Sequence, residues 1–168
     1  MSRKVIITSS GTTKTYIESA AGQEKARKNG IKAVQKERQS SIDTVTTVNP
    51  GLYSHSFGKE YVKYEEVYEG SDKTTSNILK IVESQDSSHI AVELVKKGVV
   101  TARFNYEEGR ICKTPYETPY GSMLFDIDTH SVNLKRLEDS IELCIDYSMY
   151  IDDNLISDNN VTIIIQFE

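Results

Sequence analysis

Ile141-Glu142-Leu143-Cys144-Ile145-Asp146-Tyr147-Ser148-Met149-Tyr150-Ile151 decides the fold. Every odd position holds an apolar residue, and Glu142, Cys144, Asp146, Ser148 and Tyr150 sit between them. That period of two is what a strand buried on one face requires. Asp152-Asp153-Asn154 follows, and Asn and Asp tolerate the positive φ of a tight turn. Val161, Ile163, Ile165 and Phe167 then give the inner face of a return strand. A long hairpin of this kind leaves an edge that must be paired, and closure into a barrel is one way to pair it.

Upstream, the same period starts at Ile42. Asn49-Pro50-Gly51 reads as a turn, with strands on either side over residues 42–48 and 52–57. Gly58-Lys59 turns the chain again before a strand over residues 60–68. Glu69-Gly70-Ser71-Asp72 is the next loop. In the strand over residues 74–83, Thr75, Asn77, Leu79 and Ile81 face opposite to Ile78, Lys80 and Val82. Strands over residues 89–95, 99–106 and 110–116 follow, divided by Lys96-Lys97-Gly98 and Glu107-Glu108-Gly109. Short strands at near-regular spacing with glycine-bearing turns indicate an all-β sandwich or barrel.

The N-terminal part differs. Residues 3–9 read as a first strand, but residues 10–41 are polar and poor in large apolar side chains. Residues 23–38 carry Lys25, Arg27, Lys28, Lys32, Lys36 and Arg38 against Glu24 and Glu37, a local balance of +4. Helix formers dominate, Asn29-Gly30 breaks the run, and Ala26, Ile31, Ala33 and Val34 give only a thin apolar face. The expectation is a basic insertion between the first and second strands, helical in parts or mobile.

A chain of 168 residues with 38% hydrophobic and 27% charged residues fits one soluble domain with a sizeable core. Ten Tyr and four Phe suit half-buried pleated surfaces. A net charge of −5 is mild and names no partner. No apolar run reaches the roughly 20 residues of a membrane span, and Met1 to Thr8 holds no signal-like stretch, so the cytoplasm is the expected compartment. Cys112 and Cys144 lie far apart without metal or redox spacing, which suits reduced structural thiols.

Three segments together resemble the YwiB-like family of uncharacterised bacterial proteins, a domain of unknown function with a calycin-like β-barrel. They are Tyr116-Glu117-Thr118-Pro119-Tyr120-Gly121-Ser122; Tyr61-Val62-Lys63-Tyr64-Glu65-Glu66 with Lys73-Thr74-Thr75-Ser76-Asn77-Ile78-Leu79-Lys80-Ile81; and the final hairpin with Asn154-Leu155-Ile156-Ser157. The resemblance implies an antiparallel meander, closed or nearly closed, in a cytoplasmic bacterial protein. It supplies no activity. Calycin barrels such as lipocalins bind small apolar ligands in the barrel mouth, and that step is an analogy from fold to function. Residues 10–41 depart from the family, which has a shorter link there.

The candidate ligand-binding residues are Tyr64, Arg103, Tyr116, Glu117 and Tyr120. Tyr116 and Tyr120 share one strand parity and Glu117 takes the other. Pro119 cannot donate to a ladder and marks an edge or bulge. One reading is a barrel mouth with tyrosine walls and Glu117 at its rim; the other is a strand kink whose hydroxyls satisfy backbone. Arg103 is either a lumen anchor for a carboxylate or a surface charge paired with Glu. Glu65 and Glu66 point to opposite faces. Asp126, Asp128 and His130 supply too few oxygens for a hard-metal site, and His55, His89 and His130 are scattered, so no metal and no cofactor are expected. No phosphate-binding glycine loop or nucleophile motif is present. The basic run lacks the interleaved aromatics of nucleic-acid binders.

The expected function is non-catalytic binding of a small ligand in the barrel mouth, with no membrane or nucleic-acid partner. The alternative is an interaction scaffold with a packed barrel, acting through sheet edges, the basic insertion or a homodimer. An enzyme is the least supported class.

Overall fold

The computed structural model describes residues 1–18, 38–67, 70 and 72–168. Ten strands follow in order: β1 (Ser2–Glu18), β2 (Arg38–Ser56), β3 (Lys59–Val67), β4 (Thr74–Glu83), β5 (Ile90–Gly98), β6 (Thr101–Glu107), β7 (Ile111–Thr118), β8 (Gly121–Arg136), β9 (Ser140–Ile151) and β10 (Asn154–Phe167). Each pairs antiparallel with its chain neighbour, and β1 pairs with β10 to close the barrel. The β9–β10 hairpin is the one the alternation demands, turning at Asp152 and Asp153 with φ of 48° and 63°.

One face of each strand from β3 to β10, and of the first half of β1, contributes to the barrel interior. Val5, Ile7, Val62, Leu79, Ile81, Ile127, Leu143, Ile145 and Ile165 are at most 1% exposed. Each such side chain contributes about 1.5–3 kcal/mol of burial free energy. One end of the barrel, where the chain termini lie, is closed by charge. Arg136 contacts Glu60 at 3.0 Å and Glu83 at 2.7 Å, and the Tyr53 hydroxyl donates to Glu60 at 2.9 Å. Burial, reinforced by that Glu60 contact, pushes the Tyr53 phenol up to about 12. The opposite end carries the β7–β8 and β9–β10 turns.

Three sequence expectations need correction. First, β1 runs to Glu18 and β2 begins at Arg38, so residues 10–18 and 38–41 are strand rather than insertion. Their Ser and Thr form cross-strand hydroxyl pairs instead of a core: Ser10 with Thr46 at 3.0 Å and Thr12 with Thr44 at 3.3 Å. Such pairs stabilise a sheet by roughly 0.2–1 kcal/mol. The part of the expected insertion over residues 19–37, with most of its basic residues, lies outside the described residues.

Second, Asn49-Pro50-Gly51 is not a turn but the interior of β2. Gly51 is there for closeness. A Cβ on it would overlap the Ile7 Cδ1 and lie 2.7 Å from the Lys63 carbonyl oxygen. Pro50, lacking an N–H, coincides with the end of the β2–β3 ladder, whose last pair is Gly51 with Tyr64. Third, Lys96-Lys97-Gly98 does not break the chain but completes β5, so the Lys96 side chain points inward.

Candidate binding cavity

Beside the Gly51–Tyr64 pair the barrel interior is incompletely filled. A cavity of about 180 Å³ is bounded by Ser9, Tyr64, Glu66, Leu79, Leu94, Lys96, Phe104, Tyr106, Ile145, Tyr147, Val161 and Ile163. Strand register explains the set. Tyr64 on β3, Asn77 on β4 and Lys96 on β5 lie side by side, and Glu66 faces Thr75 in the next row. All point inward because they share parity with Val62, Leu79 and Val92 of the core.

One wall is aromatic. Tyr147 and Tyr106 approach to 4.9 Å between ring centroids, Phe104 stacks on Tyr106 at 6.0 Å, and Tyr116 packs edge-on to Phe104 at 6.2 Å and to Phe125 at 5.6 Å. Burial, then the hydrogen-bonded Tyr147, holds the Tyr106 phenol well above its ordinary range. Burial likewise raises Tyr147, against the opposing effect of its hydrogen bond with Tyr106. Both hydroxyls are therefore neutral hydrogen-bonding groups at any physiological pH.

The facing wall is polar. Lys96 Nζ donates to Glu66 Oε2 at 2.8 Å, each side chain less than a fifth exposed. Beside them Asn77 is fully buried. Its Nδ2 donates to the Thr75 carbonyl at 3.1 Å, while its Oδ1 and the Thr75 Oγ1 meet no partner among the described residues. A buried polar atom left unpaired costs about 1–3 kcal/mol. Because β2 leaves β3 at Pro50, Glu66 has no β2 ladder partner on that side. The barrel wall therefore lacks β2 beside Glu66.

Of the residues singled out in the sequence, Tyr64 lines this cavity and Tyr116 backs its aromatic wall. Arg103 does not line it. It projects from the outer face, exposed, 3.5 Å from Glu93, because its parity is opposite to Ala102 and Phe104. Tyr120 also stands outside, 99% exposed at the tip of the β7–β8 turn. That turn is held by the Thr118 hydroxyl, which donates to the Gly121 carbonyl at 3.0 Å and accepts from the Tyr120 N–H at 3.2 Å. Glu117 faces outward and, with Lys73, Gly98, Thr101 and Pro119, lines an open groove of about 530 Å³ on the rim.

Glu65 is exposed and Glu66 inward, on opposite faces. Asp126 is held by Lys113 at 2.9 Å. His130 is the extra residue of a bulge, and its Nε2 lies 2.6 Å from the Ser148 hydroxyl. Among the described residues no group of three or more His, Cys, Asp or Glu is placed to hold a metal ion, and no helix is long and apolar enough to cross a membrane. The sequence reading missed Lys96, Asn77, Tyr106 and Tyr147. The signal for Asn77 was present, in its shared parity with Leu79 and Ile81.

The architecture defines a closed ten-strand up-and-down β-barrel with an amphipathic internal cavity. The chain matches, over residues 29–163, the family described as a domain of unknown function (DUF1934), and it belongs to that family. No curated protein matches it. The crystal structure of the ywiB protein from Bacillus subtilis shares the fold. Its TM-score is 0.66 at 14% sequence identity, over 99% of this chain and 93% of that one.

Proposed function

We propose that the barrel binds a small, net-neutral, amphipathic molecule in its lumen and does not transform it. The observation that carries this reading is the set of polar groups lining a largely apolar cavity: an inward Glu66–Lys96 pair together with Tyr64, Tyr106 and Tyr147. A dry cavity of roughly 150 Å³ is enough for a benzene-sized molecule, so about 180 Å³ suits one ring or a short chain with a polar head. Leu79, Leu94, Phe104, Val161 and Ile163 would meet the apolar part, and Tyr64, Tyr106 and Tyr147 the head. Glu66 and Lys96 neutralise each other, so a charged ligand would enter without a counter-charge, which is costly in a buried site. The rim groove with Glu117, and Tyr120 at the turn tip, would form the approach. Two free, half-buried thiols, Cys112 and Cys144, fit a reducing compartment and support the cytoplasmic assignment.

The test is mass spectrometry of the protein purified from its own host, under native and then denaturing conditions. The reading expects a non-covalent adduct, at most about 150 Da given the cavity, that disappears on denaturation. It also expects the adduct to be missing from Leu94→Trp, which fills the space. A bare mass under native conditions, or an adduct that Leu94→Trp retains, would overturn it.

A further inference from the structure

β2 runs from Arg38 to Ser56 but pairs with β3 only from Gly51 onward. On the side away from β1, the strand before Pro50 has no strand neighbour among the described residues. Such an edge presents a row of unpaired N–H and C=O groups, a template for another strand. Proteins usually blunt such edges with Lys, Pro or a bulge. Residues 41–49 contain none of these, and Asp43 is their only charge. They expose Ile42 at 68%, Val45 at 64% and Val48 at 64%. Over residues 41–46 neither face is covered by the barrel, since Val45 and Ile42 have opposite parity and both are exposed; Thr47 and Asn49 are half-buried.

The order of residues says what fits. Ile42-Asp43-Thr44-Val45-Thr46-Thr47-Val48 is close to a palindrome in chemistry. An antiparallel copy centred on Val45 sets Ile42 against Val48, Thr44 against Thr46, and Asp43 against Thr47. Apolar meets β-branched apolar, hydroxyl meets hydroxyl, and no like charges face each other. A two-fold interface requires such self-complementarity.

From this observation, independent of the cavity, we propose that the free edge of β2 pairs with the same edge of a second copy. The two-fold axis passes through Val45, and the two barrels share a continuous sheet over residues 41–49. The contact is short, so the dimer is weak and concentration-dependent.

Sedimentation velocity on the full chain, from about 1 µM to about 500 µM, should show a monomer converting to a dimer. Val45→Lys sets two like charges against each other at the axis and should stay monomeric throughout, with unchanged circular dichroism and thermal unfolding. In a Cys112→Ser, Cys144→Ser background, Val45→Cys should cross-link to its copy on mild oxidation. Ile42→Cys should not, because its two copies stand about 20 Å apart in this register. Amide exchange over residues 41–49 should be slowed at every second residue in the dimer alone. Four results would each overturn the proposal: a wild-type monomer at every concentration, a Val45→Lys dimer, equal cross-linking at residue 42, or protection of those alternate amides already in the monomer.

Discussion

Replacing Gly51 with Ala tests the geometry that opens the lumen. If residues 49–51 formed an exposed turn, with φ open to L-residues, the added methyl would stabilise the protein by about 0.4–1 kcal/mol through the unfolded chain. The structure gives the opposite sign. The new Cβ would overlap Ile7 Cδ1, sit 2.7 Å from the Lys63 carbonyl and 3.2 Å from Tyr64 Cβ. Ile7 is fully buried and the Lys63 carbonyl is backbone of β3, so neither can swing away. Overpacking of this kind costs about 1–3 kcal/mol. With three close contacts the cost falls in the upper half of that range, so against the unfolded-state gain the net loss is about 1–2.5 kcal/mol, or roughly 2–10 °C in Tm for a chain of this size. Urea unfolding should show a lower midpoint with an unchanged slope. Ile7→Val removes the offending methyl and alone costs about 0.5–1.5 kcal/mol. The double variant should therefore lose at least about 0.5 kcal/mol less than the sum of the singles. A Gly51→Ala protein as stable as wild type, or more stable, would refute the reasoning.

Lys96→Met should destabilise the protein by about 1–2 kcal/mol in urea unfolding. This is less than the roughly 3–5 kcal/mol of a fully buried broken pair, because both groups keep some solvent; adding Glu66→Gln should recover part of the loss. Alkaline pH should weaken the fold. The phenols of Tyr53, Tyr106 and Tyr147 are raised in the folded state, so their contribution is complete below pH 10 and is lost as pH rises through 10 toward 12 and beyond. Absorbance at 295 nm, followed against pH, should show these three ionising only together with unfolding. At the acid end, hydrogen bonds from Ser148 and then Tyr16 hold the Asp158 carboxyl below its usual range. Its contribution is present above the ordinary carboxylate pKa and lost as pH falls through the folded one, so Asp158→Asn should flatten that limb of the stability–pH curve.

The barrel was legible where one face of a strand is buried and the other is wet. Ile141, Leu143 and Ile145 satisfy that rule without interruption, and so do Thr75, Asn77, Leu79 and Ile81. Legibility failed where the chain bends the rule. The bulge at His130 moves the inward parity of β8 from Phe125 and Ile127 to Val132 and Leu134, and a second irregularity between Leu155 and Ser157 acts in β10. Residues 10–18 were unreadable as strand because they gain hydroxyl pairs and backbone ladders, not core. Pro50-Gly51 carried the chemistry of a turn, but only a neighbour unseen in sequence, Ile7, explains the glycine. Lys96 was hidden for a related reason. It shares a Lys-Lys-Gly run that looks like a turn, and only register with Asn77 and nearness to Glu66 turn it into a lumen group. Arg103 had two open readings, and its parity against Phe104 decides for the surface.

The most direct test of the central claim is a methyl NMR titration with phenol, a probe carrying one ring and one hydroxyl. If the lumen accepts such a molecule, the methyls of Leu79, Leu94, Val161 and Ile163 shift in a saturable way, while those of Ile141 and Ile165, nearer the closed end, stay in place. Methyls that do not move at saturating phenol, or that move equally throughout the barrel, would contradict it.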